Sequence, residues 1–410
     1  MPLRANTQRL WDSLAEMGKI GATENGGCCR LVLTDEDRRA RDLFVSWCDE
    51  AGCAVTIDRV GNIFARRAGD EPSRPAVASG SHLDTQPHGG RFDGVFGVLA
   101  ALEVIRGLND AGIRTRAPID AVVWSNEEGV RYHHAMLGSG VFCGAYDLDA
   151  VLASEDAQGK RYGDELERIG YAGALRPGAR AFDCFLEAHI EQGPILEREG
   201  KTIGLVDRVQ GYKWFDVAVT GADGHAGTTP MDLRRDALAG AAEMVLELER
   251  IGRRSPADSR LTVGFLDVIP NAPSTIPGRV AFGIDLRNPS RETADEQEVE
   301  LIERFRAIAA ARGLEVAIRR ETQIDPVRFD PACVATLAQA TRDLGYPHRE
   351  MISGALHDAC WIARVAPTAM LFVPCKDGVS HNEAESAEPD DLGAGCSVLL
   401  NAMLARAGIA

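Results

Sequence analysis

The sequence contains no CxxC cysteine pair, no uninterrupted apolar run of membrane-spanning length and no cluster of lysines and arginines. Most of its ten cysteines lie inside apolar runs, which favours buried, reduced thiols over a disulfide framework or a thiolate metal site. Residues 6–17 mix charged and apolar side chains in the manner of an amphipathic helix, so neither a signal peptide nor a transmembrane segment is expected. These absences predict a cytoplasmic protein without a membrane partner.

The charge balance excludes a second class of function. The formal net charge is −16 at pH 7, whereas binding to the phosphates of nucleic acid needs a concentration of positive charge. A small substrate is not excluded, because a bound metal ion can override the local charge. The 410 residues are enough for two domains, and the composition, 45% hydrophobic and 26% charged, is that of a globular protein.

Four short apolar segments predict the strands of a mixed, mostly parallel α/β sheet. They alternate with helical segments such as 94–108, an order that favours parallel strands. The four segments are Ala76–Ser79, Ile119–Trp124, Phe185–His189 and Ala369–Val373. Ionisable residues lie at or just after the end of each, and ligands of such sheets bind beyond the carboxyl ends of the strands. The sequence therefore predicts a functional site at this edge.

The middle of the chain follows a different pattern. Its segments occur in the order strand, helix, strand, strand, helix, strand, which is typical of a ferredoxin-like α+β domain. They lie at 212–220, 232–251, 261–269, 280–286, 293–312 and 314–320. We interpret 207–322 as an inserted domain, and 1–206 with 323–410 as one discontinuous catalytic domain. Because a small open sheet has free edges that a second copy can cover, we expect a homodimer joined through the insert.

Three of the nine histidines follow predicted strands. His82, His189 and His381 each lie at a strand end or in the following loop, next to a carboxylate or a glycine turn. One such histidine would be typical of a structural residue, but three with acidic partners favour a metal site. Asp84, two residues after His82 in an extended segment, can accept a hydrogen bond from the ring. Asp93 begins a helix within a glycine-rich loop, as either a metal ligand or a helix cap.

Glu127 and Glu128 follow the strand that ends at Trp124. Two adjacent carboxylates repel each other in a closed cleft, and a cation offsets that cost. One can bind metal while the other remains free to move protons; two exposed residues of a turn are the alternative. With the three histidines and Asp93, the set exceeds the needs of one zinc ion. It predicts two divalent ions per subunit that share a carboxylate, zinc or manganese, with cobalt or nickel as alternatives.

Six runs of the sequence combine the candidate residues with glycines: Gly80–Thr85, Gly89–Gly94, Asn126–Gly129, His189–Gly193, Gly224–Gly227 and Gly378–Asn382. These runs resemble motifs of the hydantoinase/carbamoylase amidases. This family includes N-carbamoyl-L-amino-acid hydrolases, β-ureidopropionases and allantoate amidohydrolases, and belongs to the clan of di-zinc aminoacylases and carboxypeptidases. The runs follow one another from residue 80 onwards, so the resemblance covers nearly the whole chain.

The resemblance implies a ferredoxin-like lid and dimerisation domain and two metal ions that share Asp93. Their ligands would be His82, Asp93 and His189 for one ion, and Asp93, Glu128 and His381 for the other. Glu127 would be the general base. His225 would reach the active site of the partner subunit and stabilise the oxyanion, with a surface histidine as the alternative. Arg287 would clamp the substrate carboxylate, with a solvated strand end as the alternative.

The remaining candidate residues bear on the identity of the substrate. Gln192 would contact the ureido group. Ser274 stands where the family usually has asparagine, which Asn271 offers three residues earlier. Leu356 stands where glycine is common, beside His357, which is either a substrate contact or a packed histidine. Both departures lie at the amino-acid end of the expected pocket and leave the hydrolytic residues in place.

Together these features predict hydrolysis of an N-carbamoyl amino acid to the amino acid, ammonia and carbon dioxide. An allantoate amidohydrolase would use the same metals with a different pocket. An aminoacylase or peptidase of the clan comes next, although His189 in its His-Ile-Glu-Gln-Gly run argues against it. A non-catalytic binding protein on the same fold would be expected to lack some ligands or the base, and all six positions are filled here.

Overall fold

The computed structural model describes residues 2–410, which form two compact units. One comprises the chain up to Asp207 together with Phe329–Ala410, and the other comprises Arg208–Arg328. The sequence predicts an insert over 207–322. The second unit extends further because its last long strand continues to Ile324.

The described residues form fifteen strands and twelve α-helices. The strands are β1 (Ala54–Ile57), β2 (Ile63–Arg67), β3 (Ala76–His82), β4 (Ile119–Trp124), β5 (Phe182–Ile190), β6 (Ile203–Val209), β7 (Gly211–Thr220), β8 (Gly224–His225), β9 (Arg260–Ile269), β10 (Thr275–Ile276), β11 (Arg279–Asn288), β12 (Glu315–Ile324), β13 (Val327–Arg328), β14 (His348–Ser353) and β15 (Thr368–Val373). The helices are α1 (Thr7–Met17), α2 (Asp35–Glu50), α3 (Val95–Asp110), α4 (Leu137–Phe142), α5 (Leu148–Ala153), α6 (Tyr162–Arg168), α7 (Ile195–Glu199), α8 (Ala237–Arg254), α9 (Arg291–Ala311), α10 (Pro331–Leu344), α11 (Asp358–Ile362) and α12 (Pro389–Ala407).

A mixed sheet of nine strands forms the centre of the fold. Its order is β1-β2-β4-β3-β5-β15-β6-β13, with β14 paired to β6. The four central strands, β4, β3, β5 and β15, are mutually parallel. The outer strands β1, β2, β6 and β13 pair antiparallel. This confirms the predicted α/β fold with a mainly parallel centre, and the four parallel strands are the four apolar segments singled out in the sequence.

Burial on both faces explains why those four segments form the central strands. Every residue of β3, β4 and β15 is buried, as expected for parallel strands covered by helices. Helix α3 packs on β3, β4 and β5, and α12 packs on α3, β5 and β15. Because α3 begins at Val95 and is itself almost entirely buried, its packing fixes the loop that precedes it, which carries Asp93.

The second unit is built around a four-stranded antiparallel sheet in the order β12-β7-β11-β9. Helices α8 and α9 pack on it. Residues of β7 alternate between buried and more exposed positions, which matches the alternation in its sequence. The buried Phe215, Val217 and Val219 form a core with Met244 of α8 and Phe305 of α9. Strand β11 lies between β7 and β9, the split arrangement of a βαββαβ unit. The role of the second unit in dimerisation stays a prediction.

One helix boundary predicted from the sequence is wrong. The segment 232–251 predicts a helix from Asp232, but α8 begins at Ala237, after a short 3₁₀ turn at Met231–Leu233. Asp236 caps the helix instead, since its side chain accepts a hydrogen bond from the backbone N–H of Ala239 at 3.0 Å.

Two further expectations concern the cysteines and the membrane. All ten cysteines belong to the described part of the chain and are free, eight of them buried. Within residues 2–410, no helix combines the length and the apolar character needed to cross a bilayer.

Candidate metal centre and active site

Four parallel strands bring ionisable side chains to one edge of the central sheet. Strand β3 ends at His82, in register with the last residue of β4, and Glu127 follows β4 three residues later. His189 is the next-to-last residue of β5 and lies in register with β15, whose following loop carries His381. Because the carboxyl ends of these strands coincide, the structure brings these side chains together.

The first cluster, the strand-held group, consists of His82, Asp93 and His189. Asp93 Oδ1 lies 3.1 Å from Nε2 of His189 and 3.7 Å from Nε2 of His82. The Nδ1 atom of His82 lies 2.8 Å from the carbonyl oxygen of Asp84, and that of His189 lies 2.9 Å from the carbonyl oxygen of Ile190. Since a carbonyl oxygen only accepts, Nδ1 carries the hydrogen in both rings. In the neutral rings, Nε2 is then the nitrogen whose lone pair can bind a metal ion.

Gly94 makes the approach of these rings to Asp93 feasible. Its φ is +68°, and a Cβ atom there would lie 2.3 Å from Nε2 of His82. Its backbone N–H donates to Nε2 of His189 at 3.1 Å, which agrees with Nε2 being the acceptor. A side chain at position 94 would therefore displace a candidate metal ligand.

The second cluster, the loop-held group, consists of Asp93, Glu128 and His381. Nε2 of His381 lies 3.2 Å from Asp93 Oδ2 and 3.6 Å from Glu128 Oε2. Asp93 thus presents one oxygen to each group, and within each group the possible ligand atoms lie within 4.8 Å of one another. Mixed imidazole and carboxylate sets of this kind fit divalent transition-metal ions.

The carboxylates of the site are unfavourable as free buried anions. Burial, followed by the negative charges of Asp358 and Glu128, raises the pKa of Glu127 well above its ordinary value. Burial and the charge of Asp93 raise the pKa of Glu128. Burial alone would also raise the pKa of Asp93, but the neighbouring imidazoles hold it well below its usual range. A bound cation offsets the repulsion among these carboxylates, so the site has the electrostatics of a metal centre.

Asp84 lies beside the site without its predicted partner. Its Oδ1 is 4.0 Å from Nδ1 of His82, too far for a hydrogen bond, because the backbone carbonyl of Asp84 accepts that ring hydrogen instead. The carboxylate accepts from the backbone N–H groups of Glu127 and Glu128, each at 3.2 Å. The predicted carboxylate bond to His82 is therefore wrong, and Asp84 orients the paired glutamates.

Glu127 belongs to neither ligand group. Its Oε2 lies 3.6 Å from Nε2 of His82, so its carboxylate faces the strand-held group from the side. The turn that presents Glu127 is held in place. The backbone carbonyl of Glu127 accepts from the backbone N–H of Met136, and Asn126 adopts a φ of +55°. A non-glycine residue in this conformation persists only where its surroundings enforce it.

Gln192 supports the shared carboxylate. Its Nε2 donates to Asp93 Oδ2 at 3.1 Å and lies 3.2 Å from Ser380 Oγ. Both hydrogens of its amide are thereby engaged within the site, so Gln192 helps to hold Asp93. Its contact with a ureido group stays a prediction.

His357 and Leu356 lie at the turn that leads into α11. His357 is buried, with Nε2 at 3.1 Å from Ser353 Oγ and its ring edge-on to His189 at 4.6 Å between centroids. This favours the packed-histidine alternative, in which His357 supports the ring of a metal ligand. Leu356 is only partly buried.

The other predicted residues, His225, Ser274, Asn271 and Arg287, lie in the second unit. Nδ1 of His225 accepts from two backbone N–H groups of its own loop at 3.0 and 3.3 Å, so Nε2 carries a hydrogen that can be donated. The carbonyl of Ser274 accepts from that loop at 2.9 Å, and Asn271 is exposed with φ +54°. Arg287 pairs with Asp285 at 2.9 Å. Their roles toward substrate stay predictions.

Sequence reasoning missed three buried carboxylates around the site. Glu187 accepts from Ser81 Oγ at 2.7 Å and from the first turn of α11 at 2.9 Å. Asp358 accepts from a serine hydroxyl, and Glu385 accepts from the loop that carries Asp93. Glu187 had a signal in the sequence, because it stands two residues before the candidate ligand His189 on the same face of β5.

Comparison with known proteins agrees with this geometry. The profile of peptidase family M20/M25/M40 matches residues 78–405. The N-carbamoyl-L-amino-acid amidohydrolase of Rhizobium meliloti is 45% identical over 406 residues, 99% of this chain and 98% of that protein. The allantoate amidohydrolase of Bacillus subtilis (strain 168) is 32% identical over 390 residues, 95% of each protein. The crystal structure of a hydantoinase/carbamoylase family amidase from Burkholderia multivorans has a TM-score of 0.97 at 52% identity, covering 99% of this chain and 98% of that chain.

Proposed function

The chain belongs to peptidase family M20/M25/M40 and is a hydrolase of amide bonds, and we propose that its substrate is an N-carbamoyl-L-amino acid. The reaction adds one water to the ureido group and releases the amino acid, ammonia and carbon dioxide. One observation carries the proposal. Two candidate ligand groups share Asp93, and the buried Glu127 lies beside them without belonging to either. The higher identity to a carbamoyl-amino-acid enzyme than to an allantoate enzyme supports this choice of substrate.

Enzymes of this family are metal-dependent, and the residues present fit two divalent ions. The strand-held group would hold one ion and the loop-held group the other, with Asp93 in common. Zinc and manganese suit this mixture of imidazole and carboxylate, with cobalt and nickel as alternatives. Bound ions would polarise the ureido carbonyl and lower the pKa of a water molecule.

Glu127 is the residue that moves protons in this proposal. Its carboxylate would take a proton from the attacking water, hold it, and deliver it to the leaving nitrogen. Burial and the neighbouring carboxylates raise the pKa of Glu127 in the metal-free site, and bound cations would lower it towards the ionised form that a general base needs. Asp84 keeps the backbone of Glu127 in place through its hydrogen bond.

Further residues predicted from the sequence would contact the substrate in this proposal. Arg287 would bind the carboxylate through its planar guanidinium, and His225 would donate from Nε2 to the oxyanion in the active site of the partner subunit. Ser274 and Leu356 differ from the usual family pattern, and together with Asn271 they would set which amino-acid side chain is accepted. Substitution of Leu356 by glycine should therefore change the order of preferred substrates, measured as kcat/KM, without loss of bound metal.

A homodimer formed through the second unit is part of the same proposal. Strand β9 is an edge strand that exposes Phe265, Leu266 and Ile269, and α8 exposes Leu238 and Leu246. An unpaired edge next to apolar side chains is the kind of surface that a second copy covers. Phe265→Lys should shift the protein towards a monomer in light scattering, and an unchanged molar mass would argue against this interface.

Ammonia release by the metal-reconstituted protein tests the proposal. The substrates to compare are N-carbamoyl-L-amino acids, their D forms, N-carbamoyl-β-alanine and allantoate. Fastest release from an N-carbamoyl-L-amino acid would support the proposal, and fastest release from allantoate would favour the second candidate. No release from any of them with two ions bound would move the function to an acylamino acid or a peptide.

A further inference from the structure

Glu385 is a buried carboxylate in the loop between β15 and α12 that also carries His381. Its Oε1 accepts from the backbone N–H groups of Phe92 at 2.9 Å and Asp93 at 3.1 Å. Its Oε2 accepts from Ser380 Oγ at 2.9 Å. One side chain thus contacts both the loop that supplies Asp93 and the residue next to His381.

Ser380 links this carboxylate to the side chains of the site. Its Oγ lies 3.3 Å from Asp93 Oδ2 and 3.2 Å from Gln192 Nε2. A hydroxyl has one hydrogen, and the shortest of its contacts is to Glu385, so it donates to Glu385 and accepts from Gln192. The second hydrogen of the Gln192 amide then remains for Asp93 Oδ2 at 3.1 Å. The hydrogens of the Ser380 hydroxyl and of the Gln192 amide thus all have an acceptor in this hydrogen-bond network.

The carboxylate of Glu385 packs directly against the backbone of Gly90. A Cβ atom at Gly90 would lie 2.0 Å from both Cδ and Oε1 of Glu385. The carboxylate therefore occupies the space that any side chain at position 90 would need. Glycine at this position, three residues before Asp93, allows the two loops to meet.

We propose that Glu385 is a positioning residue for the loop-held group, tying Asp93 to the loop of His381. This rests on the proposed function, because it assumes an ion bound by Asp93, Glu128 and His381. The backbone N–H of Asp93 and the Glu385 carboxylate are 292 positions apart in the sequence, so nothing local fixes the spacing of these two loops. Without the tie, the ion itself must order the loop of His381 against Asp93, and its affinity falls by that cost.

Glu385→Ala in the full-length protein tests this proposal, with Glu383→Ala as the matched control. Glu383 stands in the same loop, but its carboxylate accepts from Asn25 at 2.8 Å. Each metal-free protein is titrated with Co²⁺, with bound ions counted per chain and visible absorption recorded. We expect Glu385→Ala to lower the affinity for the loop-held ion by about 10- to 100-fold, as for other residues that orient metal ligands. The other ion, and both ions of Glu383→Ala, should bind as in the wild type.

Glu385→Gln should restore part of the lost affinity, since an amide oxygen can still accept from the two backbone N–H groups. If Glu385→Ala does not fold, Ser380→Ala takes its place and should weaken the same ion. If the folded variant binds both ions with unchanged affinity, the inference is overturned. This holds even if the thermal stability of the metal-free variant is lower than that of the wild type. A wild type that binds no ion overturns both proposals. A wild type that binds two ions and cleaves no ureido compound overturns the proposed function alone.

Discussion

The strand-held and loop-held groups share Asp93 but differ in what fixes their other ligands. His82 and His189 extend from the adjacent parallel strands β3 and β5, are 2% and 1% exposed, and have rings oriented by backbone carbonyls. Glu128 and His381 come from loops, and the side chain of His381 is 51% exposed and its φ is +53°. One half of the site is part of the folded core, and the other half is held by contacts between loops.

This difference predicts unequal affinities for the two ions. Ligands on rigid strands are already in position, whereas ligands on loops lose conformational freedom when an ion binds. We therefore expect a chelator to remove the loop-held ion first. Simultaneous loss of both ions would contradict this difference between the groups.

The largest effect is expected from Asp93→Ala, because this change removes the ligand that both groups share. Both ions should be lost at micromolar free metal, and hydrolysis with them. Metal content per chain, measured by mass spectrometry after gel filtration, checks this. Retention of one tightly bound ion would show that Asp93 is not common to the two groups.

Glu127→Gln should separate proton transfer from metal binding. Since Glu127 lies in neither group, both ions should remain bound while kcat falls by about 10²- to 10⁴-fold, the contribution typical of general acid–base catalysis. The paired measurement is metal content and ammonia release on the same sample. Activity close to that of the wild type would refute the role of Glu127.

His381→Ala and His189→Ala should differ in which ion they lose. His381→Ala should lower the affinity for the loop-held ion by about 10- to 100-fold or more, because the loss of a residue that only orients a ligand already costs that much. The other ion should stay bound. His189→Ala removes a buried ligand and should lose the strand-held ion, with a lower thermal stability as well, because it leaves a cavity beside His357. Identical metal titrations of the two variants would argue against separate groups.

Gly94→Ala should have the smallest effect, and Gly112→Ala is its matched control. Both glycines have positive φ, at the two ends of α3, but only at position 94 does a Cβ meet the His82 ring; at 112 it meets open space among the described residues. Backbone strain should cost each variant about 1–3 kcal/mol of unfolding free energy. The strand-held ion should be weakened only in Gly94→Ala, which a Co²⁺ titration of both variants would show. Equal metal affinity in the two would leave strain as the whole effect.

Much of the fold and of the ligand set could be predicted because both depend on local patterns. The central strands are apolar runs buried on both faces, and the polar residues at their ends, His82 and Glu127 for example, contrast with those runs. The split order of the second unit is visible in alternation such as that of β7. The edge strands β13 and β14 are short or only partly buried, so they give no comparable signal.

Contacts fixed by distant residues or by the path of a turn could not be predicted. Glu385 bonds to a backbone N–H 292 positions away, a distance over which no sequence pattern operates. Whether the carbonyl or the carboxylate of Asp84 contacts His82 depends on the turn between them. Asp232 and Asp236 are both suitable helix caps, and the packing of α8 selects the second.

The position of the second unit in the chain separates the two metal groups in time during synthesis. His82, Asp93 and His189 have all been synthesised before Arg208 is added, whereas His381 follows His189 by about 190 residues, or about 10–40 s at the usual rate of about 5–20 residues per second. β15, the parallel neighbour of β5, arrives equally late. A nascent chain thus holds every candidate ligand of the strand-held group while one edge of β5 is still unpaired, whereas the loop-held group lacks His381 until almost the whole protein has been made.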